Sequence, residues 1–165
     1  MKKGIYEREA DNLLAVITKL LESEVLSQCL VNLDENPLGT PVEVPDTSLL
    51  FNKIYPLPKV PALSENKGAY VTVNFVDTEP YKSNSEYVKQ LLVVDIIVHI
   101  DLWKIKGSLR PSLMADAIID ILSEKIIING ASVGMSGIDN FKSKIKYYEP
   151  DYFGRSLVFR VDDIK

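Results

Sequence analysis

The chain is 165 residues long, 46% hydrophobic and 25% charged, with a formal net charge of -4 and a pI of about 5.1. This length fits one domain, the composition excludes general disorder, and the acidic balance argues against broad capture of nucleic acid, which needs surplus Lys and Arg. The single cysteine, Cys29, excludes an intramolecular disulfide and a thiolate metal cage, so a reducing compartment is expected.

Taken from the start, Met1-Lys2-Lys3-Gly4-Ile5-Tyr6-Glu7 turns acidic where a signal peptide would turn apolar, so secretion by that route is not expected. Ala10, Leu13, Leu14, Ile17, Leu20 and Leu21 recur at spacings of three and four, which predicts an amphipathic helix over 6–21. A second helical stretch follows at about 23–30, and Cys29 within it reads as a buried structural thiol. From Asn32 to Gly68 six of the nine prolines break any regular pattern, leaving at most a short helical turn around 46–52. Two readings of this 32–68 arm stay open: a loop wrapped over its own domain, or an arm reaching a neighbouring subunit. The helices and hairpins are expected to supply the core without it.

Alternation then predicts a strand over 69–75, a polar turn from Asp77 to Glu86, and a long strand over about 87–103. The even positions of the long strand are nearly all apolar and face the core. The odd positions mix Lys89, Leu91, Val93, Asp95, Ile97, His99, Asp101 and Trp103, a face for water or another protein. The stretch from Leu91 to Ile100 carries Asp95 and His99 and is too short to span a bilayer, so no membrane association is expected. A helix with Pro111 in its first turn buries Leu113, Met114, Ala117, Ile118, Ile121 and Leu122. Gly134-Met-Ser-Gly137 reads as a turn. A strand over 141–148 then sets Phe141, Ser143, Ile145 and Tyr147 against Lys142, Lys144, Lys146 and Tyr148. After a loop at 149–154, the last strand places Leu157, Phe159 and Val161 on one face. The expected fold is one α+β domain, 1–165: a helical segment 1–31, the arm 32–68, and a β-hairpin–helix–β-hairpin core 69–165.

The sequence contains no convincing catalytic or cofactor site. No Gly-x-Ser-x-Gly elbow, phosphate-binding Gly-x-x-x-x-Gly-Lys loop or Gly-x-Gly-x-x-Gly is present. Asp95, His99 and Asp101 share the odd positions of one strand, and Asp101-Leu-Trp-Lys104 approaches the acid-and-lysine end of a Mg²⁺-dependent nuclease motif. Its lysine spacing is off by one residue, and the two aspartates are about 20 Å apart at ~3.3 Å per residue. The alternative to a non-enzymatic protein is a small divalent-cation-dependent nucleic-acid-processing enzyme using Asp95 and Asp101. The row Lys142, Lys144 and Lys146 reads as a solvated strand face or a positive stripe toward an acidic partner.

With the helix 6–21, the strand Leu91-Leu-Val-Val-Asp-Ile-Ile-Val-His-Ile100, the link Lys106-Gly-Ser-Leu-Arg110, the helix Leu113–Leu122 and the closing Ser156-Leu-Val-Phe-Arg-Val161 in place, the chain resembles tail terminator (tail-completion, neck) proteins of long-tailed bacteriophages and related tail-like particles. The resemblance covers the first helix and about 68–162, and leaves out the Pro-rich arm. It implies a structural virion protein, not an enzyme, with no cofactor or metal. It also implies a hexameric ring made and assembled in the host cytoplasm, contacting the tail tube protein and a head-completion (connector) protein, with DNA passing the lumen without specific binding. Self-association is expected through a sheet edge or the mixed strand face. The residues singled out for such contacts are Leu91, Val93, Asp95, Ile97, His99, Trp103, Lys142, Lys144 and Lys146.

Overall fold

The computed structural model describes residues 4–61, 66–83, 87–128, 131–133 and 138–164, with the side chains of 128, 131, 132, 140, 141, 163 and 164 excepted. The expected turn at Gly134–Gly137, the end of the turn before Tyr87 (84–86), the first three residues and the Phe141 side chain lie outside them. The elements run α1 (Ile5–Leu21), α2 (Glu24–Val31), β1 (Ile54–Tyr55), β2 (Ala69–Pro80), β3 (Tyr87–His99), β4 (Lys104–Ile105), β5 (Ser108–Leu109), α3 (Arg110–Ser123), β6 (Ile127–Ile128), β7 (Ala131–Ser132), β8 (Ile138–Glu149) and β9 (Tyr152–Ile164).

One sheet carries the fold, in the order β1-β2-β3-β9-β8. Its four long strands are antiparallel, and the short β1 adds to β2 in parallel. The last strand therefore lies between β3 and β8. The α1 and α2 helices lie against β2, and α3 packs against β3, β9 and β8. This is the α+β architecture that the sequence pattern implies.

The helix ends are set locally. The Gly4 N–H donates to Glu7 Oε2 at 3.0 Å, and Ser23 Oγ accepts the Leu26 N–H at 3.2 Å, each satisfying a donor that the helix itself leaves free. Pro111 sits in the first turn of α3, where its missing N–H removes no helical bond. The inward stripe of each helix meets the even positions of β3. Val16, Leu20, Leu26, Leu30, Met114 and Ile118 close over Val71, Val73, Leu92, Val94, Ile96, Val98, Leu157 and Phe159, all essentially inaccessible to solvent. Each such side chain contributes about 1.5–3 kcal/mol when fully buried.

The arm is wrapped over its own domain among the described residues. Leu49 and Ile54 enter the main core, and β1 pairs Ile54 with Val71. The Asn32 side-chain amide donates to the carbonyls of Pro37 at 2.7 Å and Thr40 at 2.8 Å, folding the chain back after α2. The expectation that the core is complete without this segment is corrected: six prolines exclude long regular structure, but they leave single apolar side chains free to pack.

Arg110 is the largest fully buried side chain. Its guanidinium donates to the carbonyls of Leu102 (2.9 Å), Cys29 (2.8 Å), Asn32 (2.7 Å) and Asp34 (2.6 Å). The acceptors from Cys29 to Asp34 lie at and beyond the end of α2, where unpaired carbonyls and the helix dipole favour a cation. Burial lowers the Arg110 pKa from its ordinary value, while the carboxylate of Asp34 opposes that shift. A residue read as part of a basic link is thus the clamp joining α2, the arm and α3.

The strand ends also differ from the pattern. The strand β3 stops at His99 rather than Trp103, because His99 Nδ1 accepts the Asp101 N–H at 3.2 Å and caps a 3₁₀ turn, Ile100–Leu102. The polar stretch expected to turn at Asp77 instead continues β2 to Pro80 through a bulge. Asp77 there has φ 54°, a left-handed conformation that aspartate tolerates better than most residues. The loop expected at 149–154 is a tight turn, with β9 starting at Tyr152.

Candidate interaction surface

The face of the sheet turned away from the helices carries the odd positions of β3. Register places Leu91 between Val76 and Arg160, Val93 between Asn74 and Val158, and Asp95 between Thr72 and Ser156. Beyond β9, Lys142, Lys144 and Lys146 pair with Val158, Ser156 and Gly154. Leu91, Val93, Asp95, Lys142, Lys144 and Lys146 line one groove of about 390 Å³, with Val158 in its floor and Pro58 of the arm among its lining. Six of the residues singled out from sequence are therefore neighbours.

The remaining three are placed elsewhere. Ile97 is 1% exposed, closed in by Val60, Tyr70 and Tyr152 in a second, smaller core. Lys53 Nζ lies 4.8 Å above the Tyr70 ring, and burial lowers its pKa. His99 is buried edge-on against Tyr152, with ring centres 5.1 Å apart. Trp103 donates from Nε1 to the Val98 carbonyl at 3.3 Å and packs edge-on against Phe153. The odd face is thus closed over Ile97 and His99 by the chain's own cover, and open over Leu91 and Val93.

At the boundary between those halves lies a charged pair. Asp95 is 3% exposed, and Lys146 Nζ reaches its Oδ2 at 2.9 Å. The lysine crosses β9 where Gly154 and Ser156 are small. A Cβ on Gly154 would stand 1.6 Å from the Ile96 carbonyl oxygen, so β9 lies close on β3 here and no larger residue fits. Lys146 Nζ also sits 5.1 Å over the Tyr148 ring. Burial, reinforced by the Asp95 carboxylate, pushes the Tyr148 phenol far above its ordinary value. Asp95 Oδ1, its cross-strand neighbour Thr72 Oγ1 and Tyr148 Oη make no hydrogen bond of good geometry. The reading of the three lysines as one solvated row is corrected for Lys146, which a buried carboxylate holds. Lys142 and Lys144 remain exposed.

Asp95 and Asp101 do not converge. Asp101 lies past the end of β3 on the 3₁₀ turn and pairs with Lys67, whose ammonium lowers its pKa. Among the described residues no group of three His, Cys, Asp or Glu side chains could hold a metal ion, and no helix is long and apolar enough to cross a membrane.

The sequence reading missed the rim of β8. Ile145 is 59% and Tyr147 74% exposed on the helix side of the sheet, and Tyr147 stands edge-on to Phe153 with ring centres 5.0 Å apart. The alternation of 141–147 assigns them a face, but strand order alone shows that β8 is outermost and that α3 leaves this end of it uncovered.

A family model, YomW, matches residues 23–161. The chain belongs to the YomW family. The match spans α2, the Pro-rich arm, β1, β2, β3, α3, β8 and β9 as far as Val161. The family carries a phage-derived, Bacillus SPbeta-type name, and the chain is accordingly phage-related. No curated protein matches it.

Proposed function

We propose that this YomW-family chain is a structural, non-enzymatic virion protein at the head–tail junction, one subunit of a hexameric ring that terminates the tail tube. Its partners are then further copies of itself, the tail tube protein and a head-completion protein, with DNA passing through the lumen. The observation that carries this reading is β8. It is a twelve-residue strand at the edge of the main sheet, with no strand on its outer side among the described residues. Long open edges invite pairing with another chain. Here the edge has exposed Ile145 and Tyr147 on one face and exposed Lys142 and Lys144 on the other. Such mixed apolar and polar surface is typical of protein interfaces. The phage-related family agrees with the resemblance to tail terminators, and the acidic total suits a lumen that must not grip phosphates.

The test is a double substitution, Ile145→Lys with Tyr147→Lys. Both side chains are exposed, so the thermal melt should stay within a few degrees of the native chain, while ring formation seen by light scattering should be lost. Unchanged assembly by a folded variant would remove β8 from the contact. Tight, salt-sensitive duplex binding by the native chain would favour a nucleic-acid-binding module instead.

A further inference from the structure

Two stretches of this chain carry opposite charge with little internal compensation. From Asn32 to Asn52 there are four carboxylates, Asp34, Glu35, Glu43 and Asp46, and no Lys or Arg. Asp34, Glu35 and Glu43 are exposed. Among the described residues none of the four enters an ion pair, although the buried Arg110 guanidinium beside Asp34 partly offsets that one charge. Asp34 and Asp46 accept only from nearby backbone and hydroxyl groups, Asn36 N at 2.8 Å and Ser48 N at 2.9 Å among them. On β8, Asn140 to Tyr148 carries three lysines and no acid. Asp95 takes Lys146, while Lys142 and Lys144 are exposed and make no ion pair among the described residues.

The acidic stretch leads into β1, the outermost strand on one side of the sheet, and β8 is outermost on the other. A contact that joins two different surfaces of identical copies is heterologous, and it closes into a ring when the rotation between copies allows. We infer that Lys142 and Lys144 of one copy seat the acidic stretch Asp34–Asp46 of the next, an assignment that rests on the ring reading above. The groove beside the lysines has Leu91, Val93 and Val158 in its lining and the exposed Asp77 on β2, so the occupant meets an apolar floor with the cations on the β8 side and one carboxylate on the β2 side. Exposed ion pairs add little energy of their own and are screened by salt. The lysines therefore set which surfaces meet and how fast, while the apolar floor holds the contact.

Charge reversal tests this directly. The variants are Lys142→Glu with Lys144→Glu, Glu35→Lys with Glu43→Lys, and all four together. Each pair alone should raise the concentration for half-assembly about tenfold by juxtaposing like charges, and the combined variant should return to near the native value. Thermal melts identify any variant that fails to fold. Zero-length carbodiimide cross-linking of the native protein gives a second readout, joining Lys142 or Lys144 to a carboxylate of 34–46 on another copy. Native rings with unaffected reversal variants and no such cross-link would overturn the inference and leave the ring reading standing. A native chain that stays monomeric, alone and with tail tubes, would overturn both.

Discussion

The two faces of the main sheet are built from the same strands and are finished differently. On the inner face, α1, α2 and α3 cover almost every even position of β3, and Arg110 ties the ends of two helices together. On the outer face, the chain covers only one half. Val60, Tyr70 and Tyr152 close over Ile97, while Leu91, Val93, Lys142 and Lys144 stay accessible in a groove. The inner face tells how the domain is held, and the open half of the outer face tells where it has surface left to offer. Substitutions on the first should act on stability, and those on the second on association.

The largest stability loss should follow Arg110→Met. Four carbonyls would lose a charged donor, each such bond being worth about 1.5–3 kcal/mol before relaxation. A net loss of about 4 kcal/mol would lower Tm by roughly 8–16 °C in a domain of this size. A loss below about 1 kcal/mol in a denaturant titration would show that the clamp is dispensable. Next comes a direct contrast across the sheet. Leu157→Ala, on the inner face, should cost about 2–5 kcal/mol by leaving a cavity, and Leu91→Ala, on the outer face, less than about 1. Equal losses at the two sites would erase the distinction between the faces.

Within the lysine row the same contrast should appear on a smaller scale. Lys146→Gln strands the buried Asp95 carboxylate and should cost about 1 kcal/mol, water screening the loss because the lysine side chain is 42% exposed. Lys142→Gln with Lys144→Gln should stay within about 0.5 kcal/mol of the native chain. Indistinguishable melts for these two variants would contradict the pairing. The smallest effect at neutral pH concerns Cys29, whose burial pushes its thiol up to about 11 from an ordinary 9.0. A folded pKa above the unfolded one means this contribution is complete below pH 9 and is lost as pH rises through about 11. A pH series of melts checks this, and the folded chain should also resist thiol reagents at pH 8. Rapid labelling of native protein would place the thiol at the surface.

Much of this division was legible in the sequence. The 3.6-residue stripe of α1 and the alternation in β2, β3 and β9 identify the core because burial imposes those periods on single elements. The mixed odd positions of β3 correctly mark the less covered face. Strand order is set by pairing between distant segments, so nothing in 138–149 alone shows that β8 is an edge or that Ile145 and Tyr147 stand uncovered. Arg110 was hidden for a related reason: a cation just before a proline in a helix's first turn reads as solvent-facing, and three of its four acceptors come from the distant end of α2 and the segment after it. The arm misleads in the opposite direction. Its prolines signal irregular backbone, which is what forms, yet Leu49 and Ile54 reach the core from within it.

We propose that the open half of the outer face and the β8 edge serve a ring. The most direct test is the mass and image of the purified native chain at high concentration and on isolated tail tubes. The expected result is closed rings of six copies of the 18.5 kDa chain, capping one end of the tube. A chain that remains an 18.5 kDa monomer in both conditions would contradict it.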